Sequence, residues 1–293
     1  MLLTRTLDHE SVRPYLSDLA RIFRSSVLRS IARDGRSAFM DSVLQSSGVA
    51  DALPSETSVG ETFDHVFEVL DEWYRCEYVF KNQLTRHLLA TRHGAGTSFL
   101  FEFRVAGRIA DAAAFNGTST VYEIKTGLDN LDRLDDQLEA YARCFDKVYV
   151  ATEGALVDEV AARLPGGVGL VAVHPGGDVE EVEPSASHVD QFDPGPAFDV
   201  LRKGEFVGVA EQALGGVPDV PEWELYDACR GLFCDLEPVE AHGLYFEAIC
   251  ARERVEAEVV SMLPPSLTAA GLGAKLTNSD REALPAMLAN RAS

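Results

Sequence analysis

The spacing of apolar and polar positions divides the chain into segments of different rhythm. Three short apolar-rich runs follow one another at 98–105 (SFLFEFRV), 108–115 (RIADAAAF) and 119–126 (around TSTVYEIK), separated by Gly107 and by Asn116-Gly117. Asn-Gly is a strong hairpin signal, so the three runs predict an antiparallel meander. Leu131, Leu134, Leu138, Tyr141 and Phe145 then recur at helical spacing. A strand-like run at 147–152 (KVYVAT), a helix-like run from Glu153 to Leu164 and a second strand-like run at 168–174 (VGLVAVH) complete the pattern. The predicted class is α/β, in the α+β sense, with a mixed sheet flanked by helices.

The ends are patterned as helices. Residues 1–60 contain two amphipathic runs joined at Gly35, and Ser58-Val-Gly-Glu61 is a capping-box pattern opening a longer helix toward residue 75. Residues 185–199 are polar and broken by Pro194 and Pro196, which predicts a linker. Helical patterns return at 221–233 and 236–263, and Ser279-Asp-Arg-Glu282 suggests a final cap. The expected organisation is an N-terminal helical extension (1–60), a core (61–183) and an acidic helical accessory region (184–293).

Candidate chemistry lies in the meander. On a strand, Glu123 and Lys125 project to one face while Tyr122 and Ile124 project to the other. Asp111, on the preceding strand, is expected to bring its carboxylate near Glu123. Two adjacent carboxylates repel, and a hard divalent cation such as Mg2+ removes that penalty through oxygen coordination. Asp111 and Glu123 are therefore candidate metal ligands, with the backbone carbonyl of Ile124 as a further one. Lys125 is placed to orient an attacking water or to offset transition-state charge. Gln137 and Tyr141, at i and i+4, share one face of the following helix. A Glu-x-Lys pair alone is usually an ordinary solvated face, and Tyr141 alone is more often core; the combination is what points to catalysis.

Asp111, Glu123-x-Lys125 and Gln137-x-x-x-Tyr141 together resemble the PD-(D/E)XK nuclease superfamily, and the Gln-x-x-x-Tyr element is similar to that of RecB-type exonuclease domains. The stretch from Arg108-Ile-Ala-Asp111 to Glu123-Ile-Lys125, continuing through Asp129, Leu131, Arg133, Leu134, Gln137, Tyr141, Phe145 and Asp146, resembles a poorly characterised bacterial group within it. The likeness covers about 75–152 and extends weakly to about 183. It departs from the family motif at Ala110, where proline often precedes the aspartate. The resemblance implies a restriction-endonuclease-like fold, Mg2+ or Mn2+ as cofactor, Asp111 and Glu123 as metal ligands and Lys125 as the catalytic lysine. It also implies an acid upstream, for which Glu77 is the first candidate and Glu102 the second. Gln137 and Tyr141 would position the site or the phosphate backbone. The function expected is metal-dependent hydrolysis of phosphodiester bonds in DNA; the alternatives are an RNA-directed nuclease and an inactive nuclease-fold protein that binds a protein partner.

Charge complicates this expectation. The 293 residues carry 26 Lys+Arg against 47 Asp+Glu, a formal charge of −21, which opposes nonspecific attraction to a polyanion. Residues 75–108 nonetheless hold Arg75, Lys81, Arg86, Arg92, Arg104 and Arg108 against only Glu77 and Glu102, with His87 and His93 alongside. Arg104, Arg108 and Lys81 are candidate phosphate contacts, and the acidic C-terminal region is a candidate surface for a protein partner. Five scattered cysteines argue against a disulfide framework. Cys229 and Cys234, with His242 loosely near, do not have zinc-site spacing. No leader pattern or membrane-length apolar run is seen, so a soluble cytoplasmic protein is expected.

Overall fold

The computed structural model describes residues 3–91, 97–252 and 260–292. Six strands form one mixed sheet in the order β1-β2-β3-β4-β5-β6: Ser98–Val105, Arg108–Asn116, Thr118–Lys125, Lys147–Glu153, Gly169–Val173 and Val179–Glu183. The first three are antiparallel, β4 and β5 run parallel to β3, and β6 returns antiparallel. Ala106 and Gly107 make the first turn with φ of 48° and 74°, the paired left-handed conformation of a tight hairpin. A parallel step needs a crossover, and the helix Leu134–Ala142 supplies it between β3 and β4.

Both faces of the sheet are covered, so successive residues enter different cores. Ala112, Ala114, Tyr122, Ile124, Tyr149, Ala151, Val171 and Val173 meet Phe80, Leu84 and Leu88 of the helix Glu77–Thr91. Ala113, Phe115, Val121, Val148, Val150 and Leu170 face the opposite way, onto Leu138, Tyr141 and a set of C-terminal aromatic residues that includes Phe192, Phe198 and Tyr245. This alternation sets which residues of β3 reach which layer.

Several expectations are corrected. The run VEEVE, read only as accumulating acid, is strand β6, an exposed edge whose carboxylates discourage pairing with another chain. The helix expected over 153–164 is reduced to a 3-10 turn, Gly154–Leu156, and the short helix Val157–Ala161, with Pro165-Gly166 following. The expected linker is part of the core: Pro194 opens the helix Pro194–Phe198, capped by Asp193, and Phe192, Ala197 and Phe198 are buried. Proline suits a first helical turn, where its missing N–H is not needed. The last helix, Asn278–Leu288, is capped by Thr277 with Asp280, two residues earlier than the expected Ser279 with Glu282. The expected Ser58–Glu61 box does open the helix Val59–Trp73.

Packing joins the two ends of the chain. Leu263, Leu267, Leu284 and Leu288 share one core with Leu19, Ile22, Phe63 and Val66. Arg33 meets Asp280 at 2.9 Å, and backbone bonds run from Val59 N–H to the Asn290 carbonyl and from Ala292 N–H to that of Thr57, both 2.9 Å. Residues 263–292 therefore pack with the N-terminal helices, across the division expected between 1–60 and 184–293. Among the described residues no helix is long and apolar enough to cross a membrane.

Candidate active site

The β2–β3 ladder ends at Ala112 and Tyr122. Continuing its register would set Asp111 opposite Glu123, and there the strands part. The Asp111 carboxylate takes over as acceptor for the next β3 amide: Ile124 N–H donates to Asp111 Oδ2 at 2.7 Å. One step further along the sheet, β1 distorts at the same level. Glu102 has φ of 52°, in the left-handed region that a non-glycine residue enters at a cost. The β1–β2 pairing skips the Glu102–Asp111 pair and resumes at Phe103 and Ala110. Strand alternation would put Phe101 and Phe103 on one face, away from Glu102; instead Phe101 packs with the helix Glu77–Thr91 and Phe103 with Tyr141 and Phe145. The paired distortion changes the phase of both strands.

On the Tyr141 side, Glu123 is 2% exposed and fully hydrogen-bonded. Lys125 Nζ donates to its Oε1 at 2.8 Å, Gln137 Nε2 to the same oxygen at 2.6 Å and Tyr141 OH to Oε2 at 3.0 Å. Lys125 Nζ also donates to Gln137 Oε1 at 3.0 Å, closing a ring of three side chains. The Tyr141 hydroxyl additionally lies 2.9 Å from the Ile109 carbonyl. Burial and the adjacent Glu123 carboxylate raise the Tyr141 phenol well above its ordinary value, so it is a donor throughout the physiological range. A buried carboxylate is tolerable only when paired and hydrogen-bonded, and these three donors meet that condition.

On the helix Glu77–Thr91 side, oxygens of Glu77, Glu102 and Asp111 lie within 4.8 Å of one another. Lys81 Nζ is 2.7 Å from both Glu77 Oε1 and Glu102 Oε1. Asp111 sits between the two groups. Burial, then the charges of Glu123 and Glu77, push its carboxyl up to about 8, against the lowering effect of the Ile124 N–H and Lys81. The oxygen-only donor set, three carboxylates against the single ammonium of Lys81, fits a hard divalent cation such as Mg2+ or Mn2+.

The structure thus brings Glu123, Lys125, Gln137 and Tyr141 into one cluster and Glu77, Glu102 and Asp111 into another, linked through Asp111 and the Ile124 amide. Among the described residues the three-carboxylate group includes Glu77 and Glu102, the upstream acids, and not Glu123. Of the candidate phosphate contacts, Lys81 is committed to the acids, Arg108 pairs with Asp136 at 3.0 Å, and Arg104 is exposed on β1. Arg75 pairs with Asp71, while Arg92 and His93 lie outside the described residues. Sequence reading missed Thr152, whose hydroxyl donates to the Lys125 carbonyl at 2.7 Å from the matching position of β4. It also missed Glu153, whose carboxylate lies so close to Gly127 that a Cβ there would come within 2.5 Å of it. The parallel β3–β4 register reveals the first neighbour, and the chain beyond its end the second.

The family model of bacteriophage P4 protein cII matches residues 71–184, which enclose all six strands and every residue of both clusters. Protein cII of Enterobacteria phage P4 is 39% identical over 64 residues, 22% of this chain and 24% of that protein. The chain thus matches about a quarter of the length of this curated relative. A protein of unknown function from Silicibacter pomeroyi aligns in structure over 37% of this chain and 70% of its own, at 22% identity and a TM-score of 0.30.

Proposed function

We propose that this chain is a metal-dependent nuclease with a restriction-endonuclease-like core, hydrolysing phosphodiester bonds in DNA. The observation that carries the reading is the parting of β2 and β3 at Asp111 and Glu123, with Lys125, Gln137 and Tyr141 converging on Glu123. Asp111, with Glu77 and Glu102 beside it, would hold Mg2+ or Mn2+, and Glu123 and the Ile124 carbonyl are the further ligands expected from the sequence. When bound there, a divalent cation polarises the phosphoryl oxygen and stabilises charge on the leaving oxygen. Lys125 orients the attacking water and offsets charge on the phosphoryl group; Gln137 and Tyr141 fix Glu123 and so the position of Lys125. Arg104 is the exposed cation on the strand carrying Glu102 and is the first choice for contact with the DNA backbone.

The test is cleavage of single- and double-stranded DNA and RNA with Mg2+ or Mn2+, beside calorimetric titration of the same ions into wild type and Asp111→Ala. Asp111-dependent binding with cleavage supports the reading; cleavage that survives exhaustive chelation excludes it. RNA cleavage without DNA cleavage would change the substrate and keep the chemistry. A second reading, a nuclease-fold protein that binds a protein partner without hydrolysis, draws on the formal charge of −21 and on the internal satisfaction of both Glu123 oxygens. Binding of a basic partner with no metal-stimulated cleavage is its signature.

A further inference from the structure

Lys81 occupies an unusual position for a lysine of a helix that faces a sheet. Its ammonium lies 2.7 Å from both Glu77 and Glu102 and 5.9 Å from the centre of the Phe101 ring, and its side chain is only 12% exposed. Glu77 is one helical turn before it, the favourable order for an i,i+4 pair, whereas Glu102 comes from β1 with its backbone in the left-handed region. The cation therefore lies against two of the three acids whose oxygens approach within 4.8 Å.

The supports on either side are fixed. Asn82, the next residue, is tied at both ends of its amide: its Nδ2 donates to the Pro265 carbonyl at 3.0 Å and its Oδ1 accepts from Ala269 N–H at 2.9 Å. Tyr78 OH donates to the Ser266 carbonyl at 2.7 Å. On the strand side, Phe101 is packed so closely against Gly273 that a Cβ there would fall 2.8 Å from the ring. With helix and strand held by the segment 265–273, the freedom left in the cluster is that of its side chains, the four-carbon stem of Lys81 and the more exposed Glu77 and Glu102 carboxylates.

We propose that Lys81 is the intrinsic counter-ion of the acid cluster, a positioning residue that holds Glu77 and Glu102 beside Asp111 and yields its place when a divalent cation enters. This rests on the nuclease reading above. Ammonium and metal compete for the same carboxylate oxygens, so the lysine sets how tightly the free protein takes up metal. It keeps the three acids together in the metal-free protein and weakens uptake in return.

The test is calorimetric titration of Mn2+ into the full chain, without nucleic acid, for wild type, Lys81→Met and Lys81→Arg, with circular dichroism and thermal melting on each sample. Lys81→Met should bind Mn2+ about tenfold more tightly, a gain of about 1.4 kcal/mol, because the two ion pairs no longer compete with the metal. Its metal-free form should melt lower, and saturating Mn2+ should remove most of that difference. Lys81→Arg, which keeps the charge, should bind no more tightly than wild type, and it keeps the test open if Lys81→Met does not fold. Equal or weaker binding by Lys81→Met, or tighter binding by Lys81→Arg, overturns the role of Lys81. If wild type binds Mn2+ through Asp111 in those cases, the nuclease reading stands; if no form binds, both fall together.

Discussion

Asp111 accepts the Ile124 backbone N–H at 2.7 Å, one residue beyond the last β2–β3 pair. The side chain thus replaces a missing ladder bond and props the strands apart at the level of Glu123. It leaves a carboxylate facing two others with little solvent, which is why its proton is held so strongly.

That cost appears in the dependence of stability on pH. The Asp111 carboxyl is raised from its ordinary 3.8 to about 8. Between these values the unfolded chain releases a proton that the folded protein retains, so this group's contribution makes stability fall as pH rises through the window and level off above it. Asp111→Asn keeps an acceptor for Ile124 and removes the charge. It should exceed wild type in urea-unfolding free energy at pH 8 by on the order of 1–3 kcal/mol, with the difference closing toward pH 4. Saturating Mg2+ should stabilise wild type at pH 8 and leave the variant unchanged. A constant difference from pH 4 to pH 8 would contradict this assignment.

Lys125→Ala removes one of two donors to Glu123 Oε1 and the donor to Gln137 Oε1. Cleavage should fall by at least about a hundredfold, with the fold intact and stability lowered by about 1–3 kcal/mol at neutral pH. Single-turnover cleavage and thermal melting on one preparation separate the two effects. Full activity in a folded variant removes Lys125 from the chemistry.

The backbone at Glu102 yields a comparison of two variants. Glycine adopts φ of 52° without the steric penalty that alanine meets, and both lack the carboxylate. Glu102→Gly should therefore be more stable than Glu102→Ala by about 1 kcal/mol. Equal midpoints in chemical unfolding would argue that the strand relaxes once Lys81 is released.

Phe198 is fully buried between Phe206, Tyr226 and Phe233, in the stretch whose sequence reads as a linker. Phe198→Ala should cost about 3–5 kcal/mol of stability. A loss below 1 kcal/mol would indicate that this layer contributes little to the sheet's core.

The sequence alone determined the elements with short-range causes. Alternating apolar residues around Gly107 and Asn116-Gly117 specified the meander, and helical spacing from Leu134 to Tyr141 specified the crossover helix. Placing Glu123 and Lys125 on the side opposite Tyr122 and Ile124 needed only the two-residue period of a strand, and the cores on the two faces agree. The period failed at Glu102 and Asp111, because a left-handed residue and an interrupted ladder change the phase without changing the composition. The partner of Lys81 was equally hidden: Glu77 is local, but Glu102 reaches it only through the packing of β1 against the helix Glu77–Thr91. Burial of Phe192 and Phe198 and the joining of residues 263–292 to the N-terminal helices likewise depend on contacts distant in sequence. Local hydrogen bonding and side-chain period are written residue by residue; strand parting, charge pairing across elements and the closure of a core are decided only when the chain packs.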